Sequence, residues 1–298
     1  MSAGSGSGPT VSPEVPALLR WATSRLSPDG GLDAEVLLAD LLGCDRAKLL
    51  AMDGEIDEEG LRAYEKRIVR RQGGEPVAYI TGKKEFYSLE FQVDARVLIP
   101  RPDTEILVDE GVRFLREERG GVGTVADIGT GAGPIAVSMA CQVPGCSVIA
   151  TDISSDAIDV ARSNADLHGV GGRIRFVIGD LDDPLRQTVV EEGVDAILCN
   201  PPYVLPGDDR VDPTVREFEP SLAVFGSGDP LRIYERLARA ASDLLSPGGL
   251  IACEVGLGME RDVLSTLSSA PGLRDARILR DISGLDRVVT ARKVVADG

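Results

Sequence analysis

The sequence predicts an α/β protein built on a doubly wound, mostly parallel sheet, with a small helical bundle and an extended hairpin ahead of it in the chain. Three observations predict it. Apolar residues recur at helical spacing as far as about Gly74, the pattern between residues 77 and 102 turns extended, and from Asp103 short apolar runs alternate with longer amphipathic ones. The expected organisation is a flexible tail over 1–12, a helical domain over 13–76, a β-hairpin linker over 77–102 and the sheet domain over 103–298.

In the helical part, Ser12-Pro13-Glu14 has the cap, proline and early acid of a helix start. Leu18, Leu19, Ala22 and Leu26 follow at helical spacing, and Leu32 to Leu42 carries a second apolar face that stops at Gly43. Asp45 and Asp57 are placed to cap two more helices, the last bearing Arg67, Arg70 and Arg71 and ending at Gly73-Gly74. Phe86, Leu89, Phe91 and Val93, then Val97 to Ile99, read as strands around a turn, and Pro100-Arg101-Pro102 is a stiff extended stop. Beyond it, strands are expected at 124–128, 147–152, 174–179, 194–199, 249–255, 276–282 and 287–293. Helices are expected at 104–118, 133–142, 155–168, 230–245 and 258–269. Strands separated by helices lie parallel with both faces covered. The short loop before the last strand predicts that this strand is antiparallel.

Composition narrows the function. The formal net charge of −16 disfavours binding nucleic acid through phosphate contacts and suits a basic partner. The five cysteines form no Cys-x-x-Cys pair, so neither a metal site nor a disulfide framework is expected, and a reducing cytoplasm fits. The first ten residues lack the basic and apolar regions of a signal peptide, and no apolar run is long enough for a membrane span.

Four motifs carry chemistry. Asp127-Ile128-Gly129-Thr130-Gly131-Ala132-Gly133 follows a strand and opens a helix, so its backbone can turn tightly and approach a ligand closely. Its Gly-x-Gly-x-Gly spacing departs from the dinucleotide fingerprint. Asp152 ends the next strand, where a carboxylate accepts ribose hydroxyls, unless it serves only the helix start at Ser154. Asp180, after the third strand, stands where an acid would meet the adenine edge, or is a solvated acid. Asn200-Pro201-Pro202-Tyr203 follows the apolar strand ending at Cys199. An amide or arylamine nitrogen is a weak nucleophile because its lone pair is delocalised. A catalyst must hold both N–H bonds, and the Asn200 side-chain oxygen and the Pro201 carbonyl can do so, with Pro202 stiffening the loop and Tyr203 stacking on the planar group. Together the motifs read as a site for moving a methyl group from S-adenosylmethionine to such a nitrogen, with no metal. His168 reads as a helix-end residue, Trp21 as bundle core, and Glu254 as a buried acid near the site or one that orients a loop.

The chain resembles the release-factor glutamine methyltransferases, the HemK/PrmC family. The resemblance rests on Leu32 to Leu38, on Tyr79 to Phe86 with Val97 to Glu105, on Asp127 to Gly133 with Asn200 to Tyr203, and on Gly284 to Val289. It implies a seven-stranded Rossmann-like methyltransferase domain and an N-terminal domain that docks the substrate protein. The implied reaction puts a methyl group on the side-chain N5 of the glutamine in the Gly-Gly-Gln motif of peptide-chain release factors, leaving S-adenosylhomocysteine. By position, the resemblance assigns cofactor binding to Gly129, Thr130, Gly131, Ala132, Gly133 and Asp152, with Asp180, Leu181 and Asn200 beside it. Phe86 and the Arg101 to Thr104 segment would line the site from the hairpin side. Leu181 stands where the family often has an aromatic residue, and Gly226-Ser227-Gly228-Asp229-Pro230-Leu231 replaces its usual Gly-x-Asp-Gly-Leu. The expected partner is a release factor, with no direct nucleic-acid or membrane contact and a monomeric, cytoplasmic enzyme. The same chemistry on a ribosomal-protein glutamine, DNA adenine or a small-molecule amine is the alternative.

Overall fold

The computed structural model describes residues 12–26, 30–188, 193–205 and 207–295, so the tail expected over 1–12 lies, except for Ser12, outside the described residues. The chain divides into two compact units at Gly82/Lys83.

The first unit holds α1 (Val15–Leu26), α2 (Gly31–Leu41), α3 (Arg46–Leu50), α4 (Glu58–Gln72) and α5 (Val77–Thr81). Leu18, Ala22, Leu37, Leu38, Leu49, Tyr64, Ile68 and Ile80 form its core. The buried Tyr64 hydroxyl donates to the Ala34 carbonyl at 2.9 Å, so burying the ring leaves no polar atom unpaired. Both expected caps form: Asp45 accepts from the Lys48 N–H at 2.7 Å and Asp57 from the Gly60 N–H at 2.8 Å. The first helix starts later than its Ser-Pro-Glu signal, because the Glu14 carbonyl takes the first intrahelical bond, from Leu18 N–H at 2.9 Å. The basic run on α4 is spent inside the bundle: Arg67 pairs with Asp40 and Arg71 with Asp33, each at 2.7 Å. Residues 77–81, expected to open the hairpin linker, make the short helix α5, whose Ile80 is buried in the bundle core.

The second unit opens with the hairpin β1 (Lys83–Phe86) and β2 (Leu89–Gln92). Its two turn residues, Tyr87 and Ser88, both have positive φ (54° and 59°), as a two-residue hairpin turn of matching twist requires. Neither is glycine, and the strained turn is held by Glu105, which accepts from the Tyr87 N–H at 2.8 Å, and by Asp109, which accepts from the Tyr87 hydroxyl at 2.7 Å. Val97 and Ile99, expected in a strand, are buried in irregular backbone, and the Ile99 N–H is satisfied by the distant Glu219 carboxylate at 3.1 Å.

Then follow α6 (Glu105–Glu118), β3 (Val122–Ile128), α7 (Pro134–Gln142), β4 (Gly145–Asp152), α8 (Ser155–Leu167), β5 (Ile174–Ile178), α9 (Asp183–Thr188) and β6 (Val194–Cys199). The chain closes with α10 (Pro213–Phe218), α11 (Ser221–Phe225), α12 (Pro230–Leu244), β7 (Leu245–Glu254), α13 (Glu260–Ser269), β8 (Leu273–Arg280) and β9 (Asp286–Lys293). The seven-stranded sheet runs β5-β4-β3-β6-β7-β9-β8, with β9 inserted antiparallel between β7 and β8 as its short loop predicts. Ile128, Ile197 and Ile251 pack beneath Tyr234, Leu237 and Leu267. Helices α9 to α11 were not legible in the sequence, because at five or six residues each they are too short to show a period of 3.6.

The Asp57 cap offers a check on the bundle. Asp57→Ala is expected to cost about 1 kcal/mol. The single tryptophan, Trp21, lies in α1 beside Tyr64, so its fluorescence in a denaturant titration reports bundle unfolding. An unchanged midpoint would show that the cap contributes nothing.

Candidate active site

Strand order reverses between β3 and β6, and the loops leaving their C-terminal ends diverge there to open a crevice. Gly129, Gly131 and Gly133 have φ of 74°, 55° and 84°, so a side chain at any of them would be strained. The loop is anchored from below by Asp127, fully buried, whose Oδ2 accepts from the Thr130 hydroxyl at 2.7 Å and from the Ala136 N–H at 3.0 Å. Burial pushes the Asp127 carboxyl up to about 7.

A cavity of about 710 Å³ fills the crevice, a size ordinary for a cofactor with room for part of a substrate. Gly129 through Ala132, Asp152, Asp180 and Leu181 line it, together with Arg101, Thr104, Asn200 and Pro202. The remaining expected site residues lie outside that lining. Gly133 is pressed onto α8, where a Cβ would come within 3.2 Å of the Ala161 Cβ. Phe86 is buried edge-on to Phe91, ring centroids 6.0 Å apart. Pro201 is buried, and the Tyr203 ring lies over the Gly256 backbone.

The Asp152 carboxylate takes one backbone N–H on each oxygen, Gly131 on Oδ2 and Ser154 on Oδ1, both at 2.9 Å. It therefore shapes the glycine loop and the start of α8 together. Each oxygen keeps a second lone pair for a ligand. Asp180 is half exposed and ion-paired to Arg236 at 2.5 Å, which sets its carboxylate at the cavity edge. Arg101 is held by the buried Glu219 at 2.6 Å.

Around Asn200 four side chains form one hydrogen-bonded chain. The Asn200 Nδ2 donates to the Thr104 hydroxyl oxygen at 3.0 Å, and that hydroxyl donates to Glu254 Oε2 at 2.6 Å. The Tyr203 hydroxyl donates to Glu254 Oε1 at 3.0 Å. The Glu254 carbonyl accepts from the Tyr234 hydroxyl at 2.8 Å. Burial pushes the Glu254 carboxyl up to about 7 and the Tyr203 phenol above its ordinary range. Sequence reasoning gave Glu254 no definite role, although one acid in the apolar run Leu250 to Val255 is the signal of a buried, partnered carboxylate. Nothing in the sequence marked Glu219 or Arg236. His168 ends α8 and its ring Nε2 lies 2.7 Å from the Glu90 carbonyl, away from the cavity lining. Among the described residues no cluster of His, Cys, Asp or Glu could hold a metal, and no helix is long and apolar enough to cross a membrane.

A seven-stranded sheet with its glycine loop and Asn-Pro-Pro-Tyr loop at the switch point defines the S-adenosylmethionine-dependent methyltransferase class. A methyltransferase from Pyrococcus furiosus has a similar fold, with TM-score 0.51 and 19% identity over 78% of this chain and 98% of its own. Residues 17–82 match the family model for the PrmC N-terminal domain, and residues 105–218 that for the methyltransferase small domain. The release factor glutamine methyltransferase of Geobacter sulfurreducens is 37% identical over 95% of this chain and 99% of its own length. That of Moorella thermoacetica is 39% identical over 91% and 95%. The chain belongs to the release factor glutamine methyltransferase family.

The raised Glu254 carboxyl has a consequence for stability. A carboxyl that titrates higher folded than unfolded binds its proton more tightly in the folded state. Its contribution is thus fully present below the ordinary value of 4.5 and is lost as pH rises through about 7. Glu254→Gln removes this dependence. The variant is expected to gain on the parent protein, by up to about 3 kcal/mol, as pH rises across that window. Parallel stability–pH curves for the two proteins would contradict the assignment.

Proposed function

We propose that this protein transfers a methyl group from S-adenosylmethionine to the side-chain N5 of the glutamine in the Gly-Gly-Gln motif of peptide-chain release factors, releasing S-adenosylhomocysteine. The observation that carries the reading is the Asn200 carboxamide at the cavity wall, held by its nitrogen so that its oxygen is free to accept.

The residues present fit the cofactor. The glycine loop offers side-chain-free backbone, with nothing within 4 Å of where a Cβ of Gly131 would stand. Asp152 keeps acceptor capacity for a ribose diol beside that loop. Asp180 stands with Leu181 at the cavity edge for an adenine amine and face. The cofactor, when bound, supplies a methyl group activated by a positively charged sulfur.

The protein's own work is positional. Neither Asn200 Oδ1 nor the Pro201 carbonyl is taken by another described residue. In our reading these two acceptors hold the two N–H bonds of the glutamine amide and turn its lone pair toward the methyl group. Phe86, Gly133 and Tyr203 act from behind the cavity wall, and the helical bundle docks the release factor. The acidic net charge supports a protein partner engaged without direct nucleic-acid contact. We take the enzyme to act as a monomer in the cytoplasm.

Two variants separate the roles. Asn200→Ala is expected to abolish methylation of a purified release factor while cofactor affinity stays within about tenfold, since it removes an interaction used in the transition state. Asp152→Ala is expected to weaken cofactor binding by about tenfold or more. Calorimetric titration with S-adenosylhomocysteine, alongside a methylation assay, reads both. Affinity lost in step with activity in Asn200→Ala, or unchanged affinity in Asp152→Ala, would contradict these roles.

A further inference from the structure

An asparagine carboxamide can face the cavity with either its oxygen or its nitrogen, and only the oxygen accepts from a substrate N–H. What decides between them is the hydrogen bond made by the carboxamide's other end. The Thr104 hydroxyl has one proton, and it goes to Glu254 Oε2 at 2.6 Å. Its oxygen then has only lone pairs to offer, so the Asn200 group facing it must be the NH₂, at 3.0 Å. Turned over, Asn200 would set its oxygen against another acceptor. As a carboxylate Glu254 has no proton to give back, and its other oxygen accepts from the Tyr203 hydroxyl at 3.0 Å. Thr104 and Glu254 are both almost wholly buried, so water does not compete for these bonds.

We propose that Glu254 and Thr104 are positioning residues, which fix the direction of a hydrogen-bond chain so that the Asn200 carboxamide presents its oxygen to the substrate amide. The proposal rests on the methyl-transfer reading and deepens it. It also gives the carboxylate form of Glu254 a role. With two acceptor oxygens it admits one orientation of Thr104, whereas a neutral carboxyl, with one donor and one acceptor, admits both. The groups facing it are Tyr203 and Thr104 through their hydroxyls, Asp103 and Arg287 through their charges, and Tyr234 at its backbone. Asp103 and Arg287 are paired with each other at 3.1 Å.

The test uses the full chain and three variants. Thr104→Val removes the hydroxyl at nearly constant volume, Thr104→Ser keeps it, and Glu254→Gln removes the titration. Thr104→Val is expected to lower kcat on a release factor about 10- to 100-fold, the worth of a buried bond tied to a charge, with KM and cofactor affinity within about threefold. Thr104→Ser is expected to stay within about threefold of the parent. The parent's kcat should rise as pH passes about 7, and that rise should vanish in Glu254→Gln and in Thr104→Val.

A readout without substrate or turnover comes from NMR with ¹⁵N-asparagine labelling, the Asn200 side chain being assigned by its loss in Asn200→Ala. Above pH 7 its NH₂ protons should show a nuclear Overhauser contact to the Thr104 methyl group, weakening as Glu254 is protonated. Unchanged kcat in Thr104→Val, a serine variant as impaired as the valine one, a pH rise that survives in Thr104→Val, or no Thr104 contact in the parent would each overturn the proposal. If the parent protein methylates no release factor, the functional reading fails, and the NMR result still decides the orientation.

Discussion

The reversal of strand order between β3 and β6 is the constraint on which the rest depends. Parallel strands on either side of a switch point send their following loops in opposite directions, which leaves a crevice above their C-terminal ends. Here one loop is Gly129 to Gly133 and the other begins at Asn200. A Cβ on Gly129 would stand 4.0 Å from the Asn200 carbonyl, so the two loops nearly touch at the base of the cavity. A side pressed by bare backbone suits a cofactor, and a side carrying a fixed carboxamide suits a planar amide.

Holding that geometry requires buried carboxylates, which are costly unless every oxygen is used. Glu219 and Glu254 use both oxygens, whereas Asp127 places both of its bonds on Oδ2 and its buried Oδ1 has no partner among the described residues. Asp127 ties the glycine loop to the start of α7. Glu219 joins the Ile99 N–H and Arg101, pinning an irregular segment. Glu254 gathers Thr104 and Tyr203 from elements far apart in sequence. The cost of desolvation is visible in the upward displacement of Asp127 and Glu254, both to about 7. These groups trade stability for placement, the pattern expected where function and packing conflict.

Much of the fold was legible because its signals are local. Strand-length apolar runs broken by helical ones marked all seven strands of the large sheet, and Asp45 and Asp57 announced helix starts by residue type alone. Between 77 and 102 the hairpin was legible, but its start was placed too early: Val77–Thr81 is helical and Ile80 completes the bundle core. Ile99 is buried in irregular backbone, where Glu219 satisfies its N–H. At the site, motifs with fixed spacing placed Asp152 and Asn200 at the cavity wall. The contacts that orient Asn200 span 96 residues to Thr104 and 150 more from Thr104 to Glu254, and no local pattern encodes such a meeting.

The most direct test of the central claim is peptide mass spectrometry of a purified bacterial release factor after incubation with this protein and S-adenosylmethionine. The account predicts a mass gain of one CH₂ on the peptide carrying the Gly-Gly-Gln motif, located on the glutamine by fragmentation and absent with Asn200→Ala. An unmodified glutamine, with cofactor binding confirmed in the same preparation, would contradict it.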